Sequence, residues 1–203
     1  MFNLGMPEML FTKVERDFGP GYQAEVRTPD PGVVRGSGGA DVVIRTGLDA
    51  VDRADTVLVV GNGAEEVPDP RVLDAVRRAA ADGKRVASIC TGAFVLAEAG
   101  LLDGRRATTY WAYTRELAAR YPKVLLEPDV LYVQDGQLLT SSGSAAGNDL
   151  CLHIIHTATG PRSPTRSRGR RWWRPYGRAA RPSSPTPRCR PRPALRSPRP
   201  VPG

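Results

Sequence analysis

The sequence predicts an α/β sandwich built on a largely parallel sheet. Apolar runs with strand character alternate with stretches of helical periodicity through the first 156 residues. Residues 55–60 form a continuous, mostly apolar run closed by Gly61, which is typical of a buried parallel strand. Residues 85–89 form a second short run that stops abruptly at Cys90.

Each element follows from the spacing of apolar residues between turn signals. The predicted helices are 1–11, 69–82 with Gly83 as its C-cap, 93–102, 112–120 and a last one over 147–155. The predicted strands are 22–27, 41–44, 55–60, 85–89 and 107–111, followed by a hairpin of 130–133 and 138–141 around Asp135-Gly136.

Charge is distributed unevenly along the chain. Residues 1–156 carry 16 Lys and Arg against 21 Asp and Glu, whereas residues 157–203 carry 13 Arg and no acid. The basic part is also rich in Pro and has no apolar periodicity, which predicts disorder. We therefore predict one globular domain over 1–156 and a disordered Arg/Pro-rich tail over 157–203.

Cys90 is the main candidate for chemistry. It lies between a predicted strand and a predicted helix, where unpaired N–H groups and the helix dipole favour a thiolate. A buried structural thiol is the alternative, because that is the common role of a free cysteine. Gly61 and residues 109–110 also follow predicted strands, and ligands collect at the carboxyl ends of parallel strands. That convergence favours a site around Cys90.

Other motifs give little support for a metal, a cofactor or a membrane. The three cysteines are too widely spaced for a disulfide framework or a zinc motif. His153 and His156 lie three residues apart without further ligands in step, so we predict no metal site. The Gly-rich residues 36–39 and 61–63 lack a phosphate-loop lysine and the dinucleotide spacing, so no cofactor is predicted. Without a signal peptide or an apolar membrane span, we expect a cytoplasmic protein.

Three blocks of sequence, taken in order, resemble one family. They are Ala-Ser-Ile-Cys-Thr-Gly-Ala-Phe within 87–111, Leu-Leu-Glu-Pro-Asp-Val within 125–136, and Thr-Ser-Ser-Gly-Ser-Ala-Ala-Gly-Asn-Asp within 140–153. They resemble the ThiJ/PfpI superfamily, and more narrowly the amino-terminal domain of GlxA-type AraC-family transcriptional regulators. The resemblance implies a three-layer sandwich of the class I glutamine-amidotransferase-like type. It also implies a cysteine on a strained elbow and a homodimer.

The resemblance assigns roles to six residues. In the isonitrile hydratase branch a Thr follows the Cys, as Thr91 follows Cys90 here, and an Asp assists the thiol. Asn3 stands at the position of that acid, and Tyr110 stands where many relatives carry a His. Neither an amide nor a phenol replaces the proton chemistry of those groups at neutral pH. The implied ligand-binding set is Asn3, Gly61, Asn62, Cys90, Thr91 and Tyr110.

These departures favour a ligand-sensing domain over an enzyme. We interpret the chain as the part of a transcriptional regulator that binds an unknown small-molecule effector, with DNA bound only through a separate helix-turn-helix domain. The alternative is a cysteine-dependent enzyme acting on a small C–N compound, isonitrile hydratase or amidase-like, with Cys90 and Thr91 as catalytic residues. A thiol that oxidises to a sulfenic acid is a further role left open for Cys90.

Both ends depart from the resemblance. Relatives carry an apolar strand before the block that matches Phe2-Asn-Leu-Gly-Met-Pro, so we expect the first strand to be missing. The Trp172-Trp173 codons contain a Val codon in another frame, and reading on in that frame is compatible with the Val-x-Pro-x-Arg pattern of the family. We hypothesise a frameshift from about Thr157 onward in place of the helix-turn-helix domain. The alternative is a basic arm that binds nucleic-acid phosphates.

Overall fold

Helices and strands alternate along the computed structural model, which describes residues 2–18, 22–36, 40–61 and 63–159. The helices are α1 (Phe2–Phe18), α2 (Pro70–Ala81), α3 (Gly92–Glu98), α4 (Thr114–Arg120) and α5 (Ser144–Thr159). The strands are β1 (Gly32–Arg35), β2 (Asp41–Ile44), β3 (Thr56–Val60), β4 (Arg85–Ile89), β5 (Arg106–Ala107), β6 (Leu125–Leu126), β7 (Tyr132–Asp135) and β8 (Leu138–Ser141). Short 3₁₀ turns cover Leu48–Arg53 and Trp111–Tyr113.

The central sheet has the strand order β3-β4-β8-β7. β3, β4 and β8 run parallel, and β7 pairs with β8 as the antiparallel arm of a hairpin. Leu58 lies opposite Ala87, which in turn lies opposite Leu139. β1 and β2 form a separate antiparallel ribbon, and β5 and β6 form a short parallel pair. The prediction of a largely parallel sheet is therefore confirmed.

Two apolar clusters cover the two faces of this sheet. One joins α2, α3 and α4 to the sheet through Val76, Val86, Leu96, Leu102 and Leu117. The other joins α1 and α5 to the opposite face through Phe11, Ala87, Leu139, Leu150 and Ile154. Because side chains alternate along a strand, neighbouring Val86 and Ala87 serve opposite clusters. Helices on both faces of a sheet make the three-layer sandwich that the sequence predicts.

The helix predicted over 69–82 is confirmed almost to the residue. The Asp69 carboxylate caps α2 by accepting a 2.8 Å hydrogen bond from the Arg71 N–H, and Pro70 occupies the first turn. Gly83 follows α2 with a φ of 75°, the left-handed conformation that glycine supplies at a helix end. Within the described residues, no helix is long and apolar enough to cross a membrane.

Two strand predictions are wrong. Residues 22–27 join no strand ladder among the described residues, and their described backbone contacts are isolated, such as the Thr46 hydroxyl donating to the Val26 carbonyl. The Tyr22 side chain instead packs on Phe11. The strand predicted over 107–111 covers only Arg106–Ala107, because the chain then turns into the 3₁₀ segment. The predicted tail beyond residue 159, and with it most of the frameshift hypothesis, lies outside the described residues.

The first residue of α3 lies against the backbone of β3. A Cβ atom built on Gly92 would lie 2.5 Å from the Val59 carbonyl oxygen and 3.3 Å from the Ser88 Cβ. The neighbouring atom is a main-chain carbonyl oxygen in the central sheet, which cannot move aside by a change of side-chain rotamer. Glycine at this position therefore sets how closely α3 approaches the sheet.

We predict that Gly92→Ala lowers the free energy of unfolding by about 2–3 kcal/mol, because the methyl group overpacks the contact between α3 and β3. Gly5→Ala is the matched control, since nothing lies within 4 Å of a Cβ built on that helical residue. It should raise stability by up to about 1 kcal/mol through helix propensity. Urea unfolding of both variants measures the difference, and equal stabilities would contradict the close approach.

A second prediction concerns alkaline pH. Burial raises the pKa of the Cys151 thiol to about 12, and this side chain is fully buried in α5. An unfolded thiol ionises near pH 8.5, so the unfolded state releases its proton first. The Cys151 contribution is complete below about pH 8.5 and declines towards pH 12 by up to about 1.4 kcal/mol per unit.

Urea unfolding at a series of alkaline pH values, with a reductant present, measures that decline. Cys151→Ala should lose stability less steeply with pH than the wild type does, although its stability at neutral pH is lower. Gly5→Ala is the control, because it retains the buried thiol and should decline as the wild type does. Identical slopes in all three proteins would contradict the prediction.

Candidate functional site

The chain turns sharply at Cys90, between β4 and α3. Cys90 has a φ of 60° and is the single non-glycine residue with a positive φ in the described part of the chain. Such a conformation costs about 1–3 kcal/mol and persists where surrounding contacts hold it. The Cys90 N–H donates to the Ser141 carbonyl at 3.1 Å, and the Thr109 hydroxyl donates to the Cys90 carbonyl at 3.0 Å. The elbow that the resemblance implies is therefore present, with its thiol half-buried.

Thr91 and Gly61 lie in direct contact beside the elbow. The Thr91 side chain is buried, and its hydroxyl accepts a 3.3 Å hydrogen bond from the Gly63 N–H. A Cβ atom on Gly61 would collide with that hydroxyl and lie 2.8 Å from the Thr91 nitrogen. Gly61 is thus needed for close approach between the end of β3 and the elbow. Asn62, the residue between the two glycines, lies outside the described residues.

Tyr110 belongs to an aromatic group on the loop after β5. Its ring contacts Trp111 at a centroid distance of 5.3 Å and Tyr113 at 6.0 Å. A Cβ atom on Gly143 would lie 3.7 Å from the Tyr110 ring, so the loop after β8 also passes beside it. Trp111 is 70% exposed. Thr109, the residue before Tyr110, bonds to the Cys90 carbonyl, so Tyr110 lies at the same edge of the sheet as Cys90.

Asn3 lies in the first turn of α1, and its side chain is half-buried. Its role at the position of the activating acid stays a prediction. Among the described residues, no hydrogen bond joins the Cys90 thiol to a carboxylate or an imidazole. Across the same described ranges, no group of three or more acids, His or Cys is placed to hold a metal ion.

Apart from Thr109, the buried hydroxyl groups around the elbow were not identified from the sequence. Ser88, Thr108, Thr109, Thr140 and Ser141 are all at most 1% exposed. The Thr140 hydroxyl accepts from the Thr108 N–H at 2.8 Å, and Ser141 donates to the Ser88 carbonyl. These bonds tie β4 and β8 to the loop after β5. Their sequence signal is weak, because single Ser and Thr residues in strands are common and their partners lie far away along the chain.

Arg120 was also missed, although it fixes the loop after β3. Its guanidinium donates to the Ala64 carbonyl at 2.6 Å and lies 5.2 Å from the centre of the Phe94 ring. Arg120 is on α4, Phe94 is on α3, and Ala64 follows the predicted site residue Gly61. The side chain therefore connects the loop beside Thr91 to both helices, at a cation–π distance from Phe94.

A polar cleft of about 630 Å³ lies elsewhere, between the 3₁₀ segment Leu48–Arg53 and α2, and contains none of the predicted site residues. Its charges neutralise one another. Arg71 pairs with Asp30 at 2.7 Å and with Asp69 at 2.7 Å, and Arg78 pairs with Asp52 at 3.2 Å. The hydrogen bond from Arg71 lowers the pKa of Asp30. We assign the functional site to the elbow rather than to this cleft, where Arg71 and Arg78 are already paired with acids.

Comparison with curated proteins finds both transcriptional regulators and an enzyme among the relatives. An uncharacterised protein of the cpoL 5′ region from Streptomyces lividans is 43% identical over 124 residues, which is 60% of this chain and 87% of that protein. The HTH-type transcriptional regulator CdhR from Pseudomonas aeruginosa is 35% identical over 69% of this chain and 42% of the regulator. Isonitrile hydratase from Pseudomonas putida is 40% identical over 51% of this chain and 46% of the hydratase. The chain thus spans less than half the length of the last two.

Solved structures share the fold. The crystal structure of an AraC family transcriptional regulator from Pseudomonas putida matches with a TM-score of 0.71 and 18% identity, over 79% of this chain and 87% of that one. The sequence profile of the DJ-1/PfpI family matches residues 9–157, which include the elbow and the strands that flank it. On the strength of that match, the chain belongs to the DJ-1/PfpI family.

Proposed function

We propose that this domain senses a small-molecule effector for a transcriptional regulator of the GlxA type. The observation that carries the proposal is the thiol at the elbow, which forms no hydrogen bond with a carboxylate or an imidazole among the described residues. A nucleophilic thiol needs such a partner to lower its pKa or accept its proton. A thiol that only lines a ligand site does not.

The relatives support the same proposal. CdhR matches over 141 residues, and the HTH-type transcriptional regulator GlxA from Rhizobium meliloti is 32% identical over 139 residues. In both cases the matched part is 42% of the regulator. Sensing and DNA binding by such a regulator fall to different parts of its chain. We assign effector binding to the described domain and DNA recognition to a separate helix-turn-helix domain.

The groups around the elbow suit recognition. Thr91 offers a hydroxyl, Tyr110 offers a phenol, and the amide of Asn3 is proposed to lie with them. These groups exchange hydrogen bonds with a ligand but do not abstract a proton from a thiol at neutral pH. We propose Asn3, Gly61, Asn62, Cys90, Thr91 and Tyr110 as the effector-binding set, in a cytoplasmic homodimer.

A cysteine-dependent enzyme is the second candidate, because isonitrile hydratase is 40% identical over the 107 residues that match. In that case Cys90 would be the nucleophile and Thr91 its neighbouring hydroxyl. The substrate would be a small C–N compound, such as an isonitrile or an amide. Hydration of an isonitrile adds one water across the terminal carbon and gives an N-substituted formamide.

We predict binding at the elbow without turnover. A thermal-shift screen with short-chain amides, amines and amino-acid derivatives should find compounds that raise the melting temperature of the wild-type chain. A ligand at a hundred times its Kd adds about 2.7 kcal/mol of stability. The shift should shrink in Gly61→Ala, where the methyl group displaces Thr91, and persist in Gly5→Ala. Each binder should be recovered unchanged.

Incubation with an alkyl isonitrile decides between the two candidates. Formation of the N-substituted formamide, followed by proton NMR, should not exceed the rate with Cys90→Ala. The hydratase from Pseudomonas putida serves as the positive control. Formamide production by the wild type that is lost in Cys90→Ala would overturn the sensor proposal in favour of the enzyme.

Strain at Cys90 gives an independent prediction. Cys90→Gly should be more stable than Cys90→Ala by about 1 kcal/mol, because glycine adopts a positive φ without the steric cost that a Cβ atom imposes. Both variants lack the thiol, so the comparison isolates the backbone. Urea unfolding measures the difference, and a Cys90→Gly protein no more stable than Cys90→Ala would show that the elbow is unstrained.

A further inference from the structure

The ribbon of β1 and β2 presents an unusual outer surface. All four residues of β1 are exposed, and Val33 and Val43, which lie directly opposite each other, are 65% and 58% exposed. Arg35 and Asp41 form the next pair on the same face, because side chains two apart along a strand point the same way. We call Val33, Arg35, Asp41 and Val43 the outer face of the ribbon.

The opposite face of the ribbon is buried at Ile44, which is only 8% exposed, whereas Val34 on the same face is 38% exposed. β1 and β2 pair only with each other in the described sheets. A two-stranded ribbon is marginally stable by itself, and exposed apolar pairs gain stability when they are covered. The outer face is therefore a surface that would be stabilised by a partner.

The charges of the outer face indicate which partner fits. Neither Arg35 nor Asp41 forms an ion pair with any other residue that the structure describes. The two charges cancel, so the face has no net charge to select nucleic acid or a strongly charged protein. Its pattern is instead complementary to itself.

A two-fold axis parallel to the strands, between two stacked ribbons, makes this complementarity explicit. It places β1 of one copy over β2 of the other at the same height. Val33 then faces Val43 of the second copy, and Arg35 faces Asp41 of the second copy. The reciprocal contacts follow by symmetry, as in any isologous interface. Stacked sheets pack about 10 Å apart, a distance that both the valines and the longer charged pair can span.

We propose that the outer face of the β1–β2 ribbon is the contact through which two copies of this chain associate. The inference rests on the homodimer of the proposed function and names its surface. It commits to face-to-face stacking in which two reciprocal Arg35–Asp41 pairs lie beside two reciprocal Val33–Val43 contacts.

Charge reversal tests the proposal on the full 203-residue chain. Sedimentation velocity should show a dimer for the wild type. The Kd of the dimer should rise about tenfold or more in Arg35→Asp and in Asp41→Arg, because each reversal places like charges opposite each other at both symmetry-related contacts. Arg115→Asp, on an exposed α4 position outside the ribbon, is the matched control and should leave the Kd unchanged. Circular dichroism checks that each variant is folded.

Mixing the two variants supplies the decisive arm. An Arg35→Asp copy is acidic at both positions and an Asp41→Arg copy is basic at both, so the mixture should form a heterodimer with near wild-type affinity. A misfolded variant could not be rescued in this way. A wild-type dimer that neither reversal weakens would overturn this surface and leave the homodimer standing. A monomeric wild type would overturn the homodimer itself, without bearing on effector binding.

Discussion

The approach of α3 to the central sheet is the constraint on which the site depends. Gly92 lies so close to the Val59 carbonyl that no side chain fits between them. The chain must therefore leave β4 and enter α3 within two residues, and Cys90 takes a φ of 60° to do so. The strain at Cys90 and the missing side chain at Gly92 are two consequences of one tight turn.

The contacts around that turn come from strands far apart in sequence. The ends of β4 and β8 meet at the hydrogen bond from Cys90 to Ser141, and the loop after β5 adds the bond from Thr109. On the other side, Thr91 contacts the loop after β3 through Gly63. Parallel strands place their carboxyl ends along one edge, so residues separated by up to eighty positions converge there. Buried hydroxyl groups and one arginine, rather than charges at the thiol, hold this arrangement.

Local patterns were enough to predict much of the fold. The helix of 69–82 carries its own cap and stop signals, and the hairpin around Asp135-Gly136 carries its own turn, so neither needed tertiary information. Residues 22–27 have the alternation of a strand, but a strand requires a neighbour to complete its ladder, and alternation does not show whether one is present. The elbow followed from the position of Cys90 and from the family resemblance. Thr109 was expected near the elbow, but its bond to the Cys90 carbonyl 19 residues away and the contact of Arg120 with the Ala64 carbonyl 56 residues away could not be predicted.

A strand-to-helix elbow of this kind suits both catalysis and ligand recognition. The two roles differ in whether a group that accepts or donates a proton lies beside the thiol. The turn exposes a half-buried thiol at the edge of the sheet in either case. Catalysis by that thiol requires a neighbour that accepts or holds a proton, and the family resemblance predicts Asn3 and Tyr110 at the positions where relatives carry an acid and an imidazole. The tight turn itself depends on neither group. Ligand binding, for which shape and hydrogen bonds are sufficient, is therefore the role that we propose for the elbow.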